Sequence, residues 1–335
     1  MTWFFSIGHS SSLSTSSLLS LFCPLLCWFI ILLMSAIVSK ILTFFVLIGT
    51  GFIMKKSNLA DDLFTKGISR FVLYITLPAL IVESMNFDFS YEMLSNSVIL
   101  LMAGGVLYLF LWILGIASSR VLRLTGDVRS VFRYAMLFGN VAYMGYPVVE
   151  LVIGKKGVFY SAVFNIWFNI LTWTVGIRIM SGKTELSGKK AFLNPGMISV
   201  FIGLVLFFTP LKLPVFLDEA LALLGESTIP LAMIVAGIIL ASSKISAILK
   251  GRTIIIYSLL KLCVAPMIVF LFLSFLRLPQ TVEKVLIIMS AMPAAANTSI
   301  FARLFDSDFE LSSRLIASST LFSLISIPLI ISFLE

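Results

Sequence analysis

Phe138-Gly139-Asn140-Val141-Ala142-Tyr143-Met144-Gly145-Tyr146-Pro147 is the stretch on which the reading of this chain turns. A second stretch, Met289-Ser290-Ala291-Met292-Pro293-Ala294-Ala295-Ala296-Asn297-Thr298-Ser299, uses the same elements: a proline set among asparagine and very small residues. Both lie inside apolar runs that reach membrane depth. Unwound backbone is tolerated there only where protein buries it or a watery cavity adjoins it. Proline removes a backbone donor and clashes with the preceding turn, so each helix is expected to break at its proline. Interrupted helices at corresponding places in two halves of a chain point to a carrier's substrate site.

The composition places the rest of the chain in lipid. Its 335 residues are 59% hydrophobic and 12% charged. The mean hydropathy is +1.09, far outside the range of soluble domains. Membrane-crossing helices are expected at 36–54, 68–86, 97–118, 131–152, 157–179, 196–210, 219–242, 253–276, 282–303 and 311–333. The net charge of +8 does not indicate nucleic acid, because the basic residues sit between apolar runs rather than in one patch. Seventeen of them fall on one side of the expected topology, among them Lys66, Arg70 and Arg303. Six fall on the other: Lys40, Lys155, Lys156, Lys212, Arg277 and Lys284. The positive-inside bias makes the richer side cytoplasmic in the plasma membrane and puts both ends of the ten-span unit outside.

Several function classes are excluded. The single histidine, His9, rules out His triads and His-rich metal clusters within the membrane. No Walker loop, paired-cysteine metal spacing or dinucleotide fingerprint is present. Cys23, Cys27 and Cys263 sit among apolar residues and read as small hydrophobes. No catalytic residue, cofactor or metal is expected, and the chain does not read as an enzyme.

The expected organisation is a first five-helix repeat over 34–180, a cytoplasmic loop over 181–194 and a second five-helix repeat over 195–335. Five is odd, so the halves have opposite orientation. Thr76-Leu77-Pro78 echoes Thr228-Ile229-Pro230 at a distance of 152 residues, and Pro147 answers Pro293 at 146. Similar offsets in two pairs indicate an inverted repeat. Residues 1–33 form an N-terminal extension with three readings: a start at Met34, an additional helix, or a signal peptide lacking its basic region.

The same residues carry a family resemblance. Asn140, Met144, Gly145 and Pro147 match the Asn-x3-Met-Gly-x-Pro pattern of the auxin efflux carrier family. Pro293, Phe301, Ala302 and Arg303 match its Pro-x7-Phe-Ala-basic pattern. Asn194-Pro195 is similar to its sixth-helix opening, and the Thr320 region with Pro328 to its last helix. The resemblance covers residues 36–335 and is of the prokaryotic type, since the long central loop of many plant members is absent. Ala294 and Thr298 stand where plant members have Gln and a second Pro, so auxin is not carried over as the substrate. The resemblance implies an all-α, ten-helix, bile-acid-symporter-like fold, in which the fourth and ninth helices are broken and cross. Spans 1, 2, 6 and 7 would form a scaffold, often dimeric, and the others a moving unit. Organic acids would be carried as carboxylates.

The candidate substrate-binding residues are Asn140, Tyr143, Gly145, Pro147, Asn165, Asn169, Pro293, Asn297 and Thr298. Asn165 and Asn169 lie one helical turn apart and are expected to share a face. Lys261 lies about 14 Å along its helix from Arg252, too deep to snorkel easily. It either faces the crossing, offsetting helix dipoles or the guest's charge, or forms an interior salt bridge. Glu83, Glu150 and Glu226 fall toward outer helix ends, so proton coupling is not required; a coupling proton, Na+ or none all remain open. The leading reading is alternating-access transport of a carboxylate across the bilayer, with export favoured. The alternative is a channel or membrane-embedded sensor of the same fold.

Overall fold

The computed structural model describes residues 42–182, 194–209, 213–242 and 251–334. The extension 1–33, most of the central loop, and Lys40, Lys212 and Lys244 lie outside them. The described residues form helices joined by short turns, and six helical runs, Val215–Ala241 counted as one, are long and apolar enough to cross a membrane.

In chain order, α1 covers residues 42–56 and α2 Asp62–Ser84. Next come α3 (Tyr91–Val121), α4 (Gly126–Leu137), α5 (Val141–Ile153) and α6 (Lys155–Ser181). The second half holds α7 (Pro195–Phe208), α8 (Val215–Glu226), α9 (Thr228–Ser242) and α10 (Arg252–Leu276). It closes with α11 (Gln280–Ser290), α12 (Asn297–Leu304) and α13 (Phe309–Leu334).

Local chemistry sets several of these boundaries. Asp61 caps α2 by accepting from the Phe64 amide at 2.6 Å. Asn194 caps α7 through the Met197 amide at 3.0 Å, with Pro195 in the first turn where its missing N–H costs nothing. Wider π-turns at Val72–Thr76, Val141–Gly145 and Leu260–Val264 each run into Pro78, Pro147 and Pro266. A wider turn moves the carbonyl that the proline ring would otherwise strike, so the rod bends without ending.

This corrects one expectation. The first broken rod does not break at Pro147, which sits inside α5 just after its π-turn. It breaks at residues 138–140, where Asn140 leaves helical geometry and caps the next helix. The second rod breaks at residues 291–296, and Pro293 lies within that gap.

Packing follows from small residues and apolar faces. α1 and α9 cross at backbone contact: a Cβ on Gly51 would stand 2.0 Å from the Ile234 carbonyl oxygen, and one on Gly237 2.0 Å from that of Ile48. The second half of α2 packs on α7 and α8, while α3, α4, α6 and α11 gather together and α10 lies on α11 and α13. The outward faces of α3 and α10 carry Met102, Val106, Ile113, Met267, Leu271 and Phe275, all exposed and all apolar. Such a surface is suited to lipid, not water.

Overpacked cores lose about 1–3 kcal/mol. Gly237→Ala is therefore expected to lower the thermal unfolding temperature in detergent or abolish recovery of folded protein. Gly49→Ala, on α1 with nothing within 4 Å of its new methyl, is expected to leave both unchanged.

Candidate functional site

The two gaps meet. Gly139 pairs with Ala294 in an antiparallel bridge. The Asn140 amide donates to the Pro293 carbonyl at 2.7 Å, and the Ala295 amide to the Phe138 carbonyl at 3.1 Å. Each unwound segment therefore satisfies the other's backbone, as buried polar groups require. A Cβ on Gly139 would approach the Met292 carbonyl oxygen to 3.3 Å, which explains the glycine. The Ala294 amide finds a side chain instead, donating to the Ser319 hydroxyl of α13 at 3.1 Å.

Pairing across the gap strips α4 of its own last donors. In an uninterrupted helix the Asn140 amide would serve the Met136 carbonyl; here it is committed to Pro293. Lys261 supplies the replacement, its Nζ donating to the Met136 carbonyl at 3.0 Å from a fully buried position. One turn earlier on α10, the Tyr257 hydroxyl donates to the Ala135 carbonyl at 3.1 Å. Lys261 thus lies beside the crossing. Its nitrogen is 3.7 Å from where Gly139 would carry a Cβ.

Two helix N-termini start at the same place, α5 after Asn140 and α12 at Asn297. The Asn140 side chain accepts from the Tyr143 amide at 3.2 Å. Tyr143 reaches α2, its hydroxyl donating to the Ser69 carbonyl at 3.3 Å. Gly145 lets the Met289 sulfur approach, which would stand 2.9 Å from a Cβ at that position. Thr298 is fully buried, and its hydroxyl has no hydrogen-bond partner among the described residues. Phe138 is anchored just before the gap by Tyr134, Tyr108 and Phe168, with ring centroids 4.6, 6.5 and 5.5 Å away.

A cavity of about 650 Å³ adjoins this region, and Tyr143, Ala296 and Asn297 contribute to its wall. Lys66, Arg70 and Arg303 line it as well, with Asp62 the acidic residue among its lining side chains. Asp62 is engaged by Lys55 in an ion pair at 2.8 Å. Arg303 lies over the Phe309 ring, 3.7 Å from its centroid. At the opposite end of α2, Lys155 of α6 pairs with Glu83.

The sequence-derived candidates therefore divide. Tyr143 and Asn297 reach the cavity; Asn140 and Pro293 form the crossing behind it. Asn165 is buried on α6. Asn169 does not share its role: it donates to the Asn165 carbonyl at 2.9 Å and turns toward Gly196 of α7. Tyr257, Ser319 and the basic trio were not singled out as site residues from sequence. Tyr257 was within reach, since it lies one helical turn from Lys261 on the same face.

A polytopic helical bundle with two interrupted rods paired at their gaps, beside a basic cavity, defines a membrane transporter. The chain belongs to the membrane transport protein family that contains the auxin efflux carriers; the family model matches residues 36–188 and 183–331. It is 25% identical to an uncharacterized transporter of Methanocaldococcus jannaschii over 86% of this chain and 96% of that one. It is 22% identical to the "Putative malonate transporter" of Rhizobium meliloti over 88% of this chain and 94% of the relative. A 150-residue stretch is 25% identical to auxin efflux carrier component 8 of Arabidopsis thaliana, covering 43% of this chain and 40% of that protein.

Loss of a helix N-cap typically costs about 1 kcal/mol. Asn140→Ala is expected to lower the unfolding temperature of the purified protein, and Asn140→Ser, which keeps an acceptor, to recover most of that loss.

Proposed function

We propose that this protein is a secondary carrier that moves organic carboxylates across the plasma membrane by alternating access. In this reading the helices form ten membrane-crossing segments arranged as two inverted sets of five. The fourth segment is α4 with α5, and the ninth is α11 with α12. α1, α2 and α7 to α9 are the scaffold, and the remaining helices move with the crossing.

One observation carries the proposal: the mutually paired gaps open beside a cavity lined by Lys66, Arg70 and Arg303. Helix N-termini with positive dipole ends favour a bound anion, and the three cations draw it toward them. Asn297 and Tyr143 offer neutral hydrogen-bonding groups to a carboxylate, with Asn140, Gly145, Pro147, Pro293 and Thr298 shaping the site behind them. Asn165 stiffens the wall, and Asn169 supports the α6–α7 contact. The malonate in the Rhizobium meliloti relative's name agrees with a carboxylate guest.

Lys66, Arg70 and Arg303 belong to the side richer in basic residues, so the cavity opens to the cytoplasm and the termini of the ten-segment unit lie outside. A singly charged carboxylate gains about 2.3 kcal/mol per 100 mV on leaving a negative interior. Export follows from that sign. The Lys155–Glu83 pair ties α6 to α2 at the outer end and favours the inward-open state.

Counterflow in liposomes tests the function. Labelled malonate or a monocarboxylate is expected to exchange saturably, with Arg303→Ala raising the half-saturation concentration roughly tenfold, the loss of one charge-assisted contact. Asn297→Ala is expected to remove the acid's stabilising effect on the unfolding temperature. An anion current that never saturates would instead establish a channel.

Exposed ion pairs contribute about 0.2–1 kcal/mol. Glu83→Gln is accordingly expected to slow alkylation of a cysteine placed at Ser299 by up to about fivefold from the cytoplasmic side, as the outward-open population grows.

A further inference from the structure

We infer that the C-terminal end of α3 holds one anionic phospholipid, its phosphate among four arginines and an acyl chain in the groove between α3 and α10. The orientation proposed above makes that leaflet the cytoplasmic one; the site itself depends neither on it nor on the carrier reading. Arg120 and Arg123 lie at the end of α3, and Arg129 and Arg133 on α4 just past the turn. Arg120 and Arg129 are close enough to Arg133 to act on its charge. Asp127 is the one acid between residues 120 and 133, and among the described residues no carboxylate pairs with any of the four arginines. Arg133 is held in place: its Nε donates to the Ser119 hydroxyl at 2.7 Å, and that buried hydroxyl donates in turn to the Ile116 carbonyl at 2.9 Å. Its two terminal nitrogens make no hydrogen bond among the described residues. They form a fork that matches two phosphate oxygens. Topology counts lysine and arginine alike, and the basic loops at 55–66 and 183–190 use lysine alone. Four arginines at this one turn fit phosphate geometry instead.

A groove of about 430 Å³ runs between α3 and α10, and every side chain lining it is apolar, Val106, Phe110, Ile113, Ile268, Phe272 and Leu276 among them. Ile113, Ala117 and Arg120 are spaced to share one face of α3, and Val121 next to them is exposed. From Arg120 to Val106 is fourteen residues, about 21 Å along the helix. Lipid headgroups lie about 20 Å from the bilayer centre. A lipid with its phosphate at the arginines therefore reaches the groove with its chain. Any lipid wets an apolar helix face. What singles out one anionic molecule here is the cluster of charge at one end of a preformed groove.

Native mass spectrometry of the purified protein tests this with dioleoyl phosphatidylglycerol, dioleoyl phosphatidylcholine and inorganic phosphate. Wild type is expected to retain one phosphatidylglycerol at a concentration roughly tenfold below that needed for phosphatidylcholine, the worth of one charge-assisted contact. Arg133→Gln is expected to abolish that preference. Arg133→Lys, which keeps the charge but not the fork, is expected to lose at least about threefold of it. Val106→Trp fills the groove from an exposed position and is expected to weaken retention of phosphatidylglycerol by roughly tenfold, because less of the chain is buried. Unfolding temperature is read in parallel, since a ligand bound only by the folded state raises it. The inference is overturned by equal retention of the two lipids, by Arg133→Gln keeping the preference, or by full retention in Val106→Trp. Inorganic phosphate that stabilises as much as phosphatidylglycerol marks a soluble-anion site and overturns it. A wild-type dimer that Val106→Trp splits gives the groove to a second copy and overturns it too. If Arg133→Gln does not fold, the wild-type comparison and Val106→Trp decide. No arm needs transport, so a protein that exchanges no acid sinks the carrier reading and leaves the lipid site to be judged by itself.

Discussion

Two backbone hydrogen bonds, Asn140 to Pro293 and Ala295 to Phe138, constrain everything else in this molecule. A helix interrupted in hydrocarbon leaves donors and acceptors that water cannot reach, and each unpaired group costs several kcal/mol. One interrupted helix would be untenable there. Two that cross at their gaps complete each other, and the short antiparallel bridge between Gly139 and Ala294 does this with almost no side-chain volume. Ala294 and Ala295 are buried at this bridge, where their small side chains take little room.

The repair is incomplete, and its remainder explains the neighbouring helices. Taking the Asn140 amide away from α4 frees the Met136 carbonyl, and α10 answers with Lys261 while Tyr257 serves Ala135. The Ala294 amide, which the bridge leaves out, obliges α13 to present Ser319. A lysine, a tyrosine and a serine that look unrelated in sequence thus all answer the two broken rods. Around them the packing is made by aromatic rings on Phe138 and by glycines that let α1 and α9 touch. Polar contacts join helices elsewhere too, among them Asn96 donating to the Tyr160 hydroxyl, Arg133 to the Ser119 hydroxyl and the Trp167 indole to the Leu101 carbonyl.

Charge is distributed with the same economy. Lys66, Arg70 and Arg303 meet in one cavity although they come from opposite halves of the chain. The far end of α2 is tied instead by Lys155 and Glu83. A bundle open and basic at one end and fastened at the other is an asymmetric object.

The sequence by itself determined the lipid-embedded helical class, the approximate helix edges, the two interrupted stretches and the family. Each of these is written locally, in the length of apolar runs, in Pro, Gly and Asn chemistry, and in short motifs around Asn140 and Pro293. Only the tertiary structure decided that the first gap opens at residues 138–140 rather than at Pro147, because the partner that opens it lies some 150 residues further on. It alone separated Asn165 from Asn169 and gathered Arg303 with Lys66. It also turned Lys261 toward a carbonyl, since which donor a helix end needs depends on what its own amides have been given to elsewhere.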